Sequence, residues 1–378
     1  KVMGEAIESD RPTGDRTNPL TTVEETEQFG PFTAEDGTLI QKLYENGQLF
    51  KTRDYAAVRE IFARHFQEEN LHVFEEAWGD DTDSMFQWLA AHQDIKEELF
   101  TAIDPKTDNV LEALKLFKTL KDEFPDHIGS YGNLAIAISV TWDSPKAVYR
   151  FTGPQRQGKA IMPENLTTAE DNFAYFVNTE GVMQGRLQFL PWEFLVHAAN
   201  HTTPMPEREW ALQNYLPKRT MYGSCYKDVP YDHGMLESKG TTGRIHGKLY
   251  TLPNIRTFGG VCAHQADFAA RVGKSLGVPA SSVSGKSVYD EAHAWVMWVE
   301  LKSVTAQSIG FTLESYGRYR GDKYYVGGLK DPKTGNRITD RQLELHLHTV
   351  GLDPLAKRHA DRVMELYPLI CEHQSLDT

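Results

Sequence analysis

A glycine pair runs into a cysteine at Gly259-Gly260-Val261-Cys262, and the stretch it opens closes at Leu276-Gly277-Val278-Pro279. This bounded run constrains the fold more than any other. Apolar residues at Ala266, Ala269, Val272 and Leu276 fall three or four apart, which predicts a helix with one buried face. Gly277 and Pro279 stop the helix, and the glycine pair allows a tight turn into it. Cys262 is thereby placed in the first turn, where unpaired N–H groups and the positive end of the helix dipole stabilise a thiolate.

A partner for the thiol follows. From His293 to Leu301 the residues His293, Trp295, Met297, Val299 and Leu301 alternate with Ala294, Val296, Trp298 and Glu300. Apolar and aromatic side chains on both faces predict a strand covered on both sides. A histidine opening such a strand can serve as base to a cysteine remote in sequence, forming an ion pair and shuttling the proton to a leaving group. Trp295 shares its face and is placed to cover the imidazole. His264, two residues after the cysteine, points off the Cys262 face. Ser308 to Tyr316 reads as the next strand, with Glu314 as the candidate carboxylate that orients His293, and Asp322 in the turn Tyr319–Lys323 as the fallback.

The run Gly260-Val261-Cys262, the helix ending Ser275-Leu276-Gly277-Val278-Pro279-Ala280, the strand residues Val283-Ser284-Gly285 and then His293-Ala294-Trp295-Val296 resemble the core of the transglutaminase-like superfamily. That family holds transglutaminases, peptide N-glycanases and bacterial cysteine proteases. The resemblance covers roughly residues 250 to 335. It implies an α+β fold with a papain-type core, a helix packed on an antiparallel sheet, and a Cys, His, acid triad in that chain order. Carried onto this chain, the triad is Cys262, His293 and Glu314. The family's acid is usually Asp in a strand containing Gly-Trp, where Gly310-Phe311-Thr312-Leu313-Glu314-Ser315 stands here.

Length and charge bound the rest. The 378 residues have ordinary apolar and charged fractions, and suit two or three domains. A net charge of −13, with no basic tract, argues against nucleic acid as a partner. No apolar run is long enough to span a bilayer. Residues 1–36 lack periodicity and read as an extended or mobile arm. Residues 37–125 read as a helical N-terminal region, with Tyr55, Val58, Ile61, Phe62 and Phe66 at helical spacing and Val110, Leu111, Leu114, Phe117 and Leu120 likewise. Asp54 is the expected cap of the first of these helices, and Asp108 or Asn109 of the second. Residues 126–336 form the expected catalytic domain, with helices at 190–197 and 207–216; 133–142 suits a buried helix or a buried strand, and the stripe Leu134, Ala137, Ile138 and Thr141 favours the helix. Residues 337–378 read as an antiparallel helix pair, Ile338 to Val350 and Pro354 to Leu369, joined at Gly351-Leu352-Asp353. The helical regions offer surfaces for a protein partner.

Cysteine most often serves as a small buried hydrophobe, and the glycine pair with the following His-Ala-Trp strand sets Cys262 apart from Cys225 and Cys371. No cofactor or metal site is expected. His346 and His348 diverge by about 200° on a helix, and Asp80-Asp81-Thr82-Asp83 lacks the glycine and glutamate of a calcium loop. The expected chemistry is acyl transfer on a peptide or protein substrate through a Cys262 thioester. Water as acceptor makes a cysteine protease or amidase, and a lysine amine makes a transglutaminase. The competing class is an inactive binding or scaffold protein. A reduced compartment is the simpler reading of three cysteines, and the sequence leaves cytoplasmic and exported locations both open.

Overall fold

A computed structural model describes residues 34–49, 51, 55–145, 148–183, 186–318 and 326–375. The expected arm, all but its last three residues, lies outside them, as do Asp54 and Asp322. The described chain is mixed α and β. Helices α1 (Ala34–Glu45), α2 (Ala56–Glu69), α3 (Leu71–Trp78), α4 (Thr82–Ala91), α5 (Gln93–Ala102) and α6 (Val110–Glu123) form the N-terminal bundle. The predicted stripes are its core: Val58, Ile61, Phe62 and Phe66 of α2 are buried, as are Leu114, Phe117 and Leu120 of α6. Asn109 caps α6 by accepting from the Glu112 N–H, while Tyr55 occupies the cap position of α2 without a side-chain bond.

The middle region is mainly helical. It comprises α7 (Pro125–Ile128), α8 (Gly132–Trp142), α9 (Thr152–Gln157), α10 (Ala169–Met183), α11 (Trp192–Ala199), α12 (Met205–Tyr215), α13 (His233–Glu237) and α14 (Leu252–Phe258). Residues 133–142, where short apolar runs do not separate helix from strand, are the helix α8, buried on nearly every side between α6 and α11. A helix so enclosed needs no polar face.

Then comes α15 (Cys262–Ser275), followed by strands β1 (Ala280–Lys286), β2 (Ala292–Val304), β3 (Ile309–Tyr316), β4 (Val326–Lys330) and β5 (Arg337–Thr339). The sheet is antiparallel in the order β3-β2-β1-β4-β5. Its two faces enter different cores. Ala280, Ala294 and Val296 pack with Ala266, Phe268, Ala269 and Val272 of α15, while Val283, Trp295, Met297 and Val299 join the larger core that continues into the N-terminal bundle. Helix α16 (Asp340–Leu352) starts two residues later than expected, because Ile338 belongs to β5 and Thr339 with Gln342 forms a capping box. The last helix, α17 (Pro354–Ser375), lies against α1, α2 and α5. No described helix is long and apolar enough to cross a membrane.

Candidate active site

The start of α15 is fixed by close backbone approach. Gly259 has φ +79°, and a Cβ there would lie 2.0 Å from the Pro230 carbonyl oxygen. Only glycine suits that place. Gly260 donates its N–H to the Pro230 carbonyl and accepts from the Asp232 N–H, so the segment before the cysteine is held as a short parallel bridge to Tyr231. Val261 then takes an extended conformation at the cap, and Cys262 opens the helix as expected.

Burial of α15 exceeds the expectation of one apolar face. Every residue from His264 to Ser275 is buried. His264 fills the space beside Gly158, Ile245 and Tyr250, and burial pushes its pKa down to about 4. It is a core imidazole.

The thiol sits where the sheet loses a strand. Antiparallel pairing of β2 with β3 ends at Val296 opposite Tyr316, and Gly317, at φ +86°, turns the chain away. Ala294 is the next β2 residue facing that side. Its carbonyl accepts from the Tyr226 hydroxyl at 2.9 Å, and its N–H acts electrostatically on the Cys262 thiol. A thiol and a phenol thus occupy the place of a strand. Burial raises the Cys262 pKa, and the N–H groups of Ala294 and Ala263 pull only partly against it.

His293 directly precedes that amide. Its Nε2–H donates to the Gly317 carbonyl at 2.6 Å, and its ring stacks on fully buried Trp295 with centroids 6.2 Å apart. A carbonyl only accepts, so the hydrogen is on Nε2 and Nδ1 of the neutral ring keeps its lone pair. Burial lowers the pKa of this imidazole. Desolvation penalises both charged forms, so burial works against the ion pair expected from the sequence.

Glu314 is not brought to His293. It pairs with Trp298, five residues along β2, or roughly 16 Å at the usual rise of a strand. It also shares the Trp298 face, opposite to that of His293. The orienting acceptor in this structure is the Gly317 carbonyl, and no pattern of side chains announces a backbone group. Tyr226, remote in sequence, was equally hidden.

Behind the thiol, α15 carries charge into the interior. Arg271, fully buried, holds Glu207 at 2.5 Å, Asp267 at 3.7 Å and the Thr203 hydroxyl at 2.9 Å, and lies 3.9 Å from the Phe151 ring centre. Asp267 accepts from the Tyr149 hydroxyl at 2.5 Å. One turn on, Lys274 donates to the His197 carbonyl and the Asn200 side chain, and burial pushes its pKa down to about 7. The i, i+4 spacing of Asp267 and Arg271 was the visible signal for this network.

A thiol at the head of a helix and an imidazole at the start of a neighbouring strand are the two kinds of group that general-base attack by sulfur needs. Among the described residues no group of three or more His, Cys, Asp or Glu side chains is placed to hold a metal ion. No protein-family model matches the chain, and neither a curated protein nor a solved structure matches it.

Proposed function

We propose that the chain is a thiol-dependent acyl-transfer enzyme acting on peptide or amide bonds, with a transglutaminase-like core and hydrolysis as its default outcome. Cys262 attacks the amide carbonyl while His293 Nδ1 takes the thiol proton. The same proton then passes to the departing amine as the C–N bond breaks, leaving a thioester. Water, deprotonated by His293, releases the carboxylic acid and restores the thiol. The Cys262 N–H at the head of α15 is the natural donor to the oxyanion, a contact worth about 3 kcal/mol where one such donor has been removed elsewhere.

What supports this reading is the placing of two groups: a half-buried thiol opens α15, the amide that follows His293 acts on that thiol, and the His293 Nε2–H donates to the Gly317 carbonyl. The decisive experiment is incubation with a glutamine-containing peptide and a labelled primary amine, followed by mass spectrometry of peptide and protein. Peptide cleavage or release of ammonia, lost in Cys262→Ala, supports hydrolysis. Amine incorporation with the same dependence makes the protein a transglutaminase. A second reading, an inactive scaffold, is favoured by the raised thiol pKa and by a carbonyl standing where a carboxylate would better support an imidazolium. Equal behaviour of the wild type and Cys262→Ala selects it.

A further inference from the structure

Away from the thiol, a cavity of about 550 Å3 opens between α2, the start of α11, α16, α17 and the β4–β5 turn. This is the size of a small-molecule site. Phe62 and Phe66 of α2 supply buried apolar wall, both under a tenth exposed. Facing them is a cluster of opposite charges. Glu193 is 2% exposed, and its Oε2 has no hydrogen-bond partner; the nearest cation, Arg358, lies 3.8 Å away and is engaged with Glu98 at 2.5 Å. Lys333 projects over the ring of Trp192, the residue beside Glu193, with its ammonium 5.8 Å from the ring centre. Lys357 pairs with Asp361 at 2.5 Å along α17. His346 lines the same cavity, and Glu193, Lys357 and Asp361, which also line it, all act on it electrostatically.

We propose that this cavity binds a free α-amino acid with a large apolar side chain. A buried carboxylate oxygen without a hydrogen bond is costly unless a donor reaches it, and an ammonium group supplies one. The ligand carboxylate lies with Lys333 and Lys357, which are about one-fifth exposed and keep N–H donors beyond their present single partners. Its side chain packs on Phe62 and Phe66. A simple anion leaves Glu193 unmet, and a simple amine meets the lysines with like charge, so both charges of the zwitterion are needed. The inference is independent of any reaction at Cys262.

Calorimetric titration of the full chain with L-phenylalanine, phenethylamine and 3-phenylpropanoate tests it. The expected result is saturable binding of phenylalanine, with each single-charge analogue at least tenfold weaker. Lys357→Met, whose partner Asp361 keeps 41% of its side chain exposed, should weaken phenylalanine at least fivefold with an unchanged melting temperature, and Glu193→Gln should do the same where it folds. Cys262→Ala should bind as the wild type does. Equal affinity for either analogue, no binding of phenylalanine at 10 mM (about 2.7 kcal/mol), or binding unchanged in Lys357→Met overturns the proposal.

Discussion

The two ends of α15 are built on opposite principles. Its first turn holds a thiol whose nearby partners are backbone groups, the N–H groups of Ala294 and Ala263, beside an imidazole that answers to another backbone group, the Gly317 carbonyl. Its later turns hold Asp267, Arg271 and Lys274, tied by side chains to Glu207, Tyr149, Thr203 and Asn200 across the helices before it. Formal charge is concentrated where no chemistry is proposed. A buried charge network positions its members firmly but resists any change in charge, since each protonation state is bound to its partners. Backbone dipoles stabilise an anion without holding a competing proton, which suits a group that must change charge during a reaction.

The contrast can be broken most forcefully at Arg271. Arg271→Met leaves Glu207 and Asp267 buried without their cation and is expected to cost about 3–5 kcal/mol, read as a lower urea midpoint. A loss under about 1 kcal/mol would mean that the network holds nothing. Next in size, His293→Ala should reduce Cys262-dependent turnover by about a hundredfold, in line with removal of a general base, while the urea midpoint moves little. Equal turnover in the two proteins would reduce the thiol end to packing.

Lys274 gives the third test. Its pKa of about 7 in the fold lies below the ordinary lysine value of about 10.4, so the unfolded chain binds more protons between these limits. Stability therefore gains from this group as pH rises from about 7 to about 10. Lys274→Met should remove that contribution, a slope of at most ~1.4 kcal/mol per pH unit, and an identical pH profile for the two proteins would remove Lys274 from the account. The smallest effect is expected at Glu314. Glu314→Gln should change turnover by less than about twofold, against the hundredfold scale of a true acid–base partner; a sharp drop would restore it as the orienting acid and contradict the strand register.

Much of this was legible in the chain. Gly259, Gly277 and Pro279 bracket α15 because backbone constraints act locally, and the double-sided apolar run of β2 follows from its burial on both faces. Glu314 failed for a nonlocal reason. The β2–β3 register sets Glu314 opposite Trp298, five residues from His293, and an irregularity between Leu301 and Ser303 decides which face it shares. Counting along a sequence cannot see such a slip. The roles of Gly317 and Tyr226 were hidden because one acts through its carbonyl and the other meets Ala294 from sixty-eight positions away. Ile338 falls in β5 and not in the helix that its spacing predicts, because a three-residue strand carries too few residues to show a period.

The sulfur at the edge of β2 has a consequence for observation. Ala294 N–H acts on the Cys262 sulfur, so any acyl or alkyl group placed on that sulfur changes the surroundings of this amide. The exchange rate of this one amide with deuterated solvent then becomes a gauge of the occupancy of the sulfur, readable without a substrate and without knowing which acyl group the protein carries.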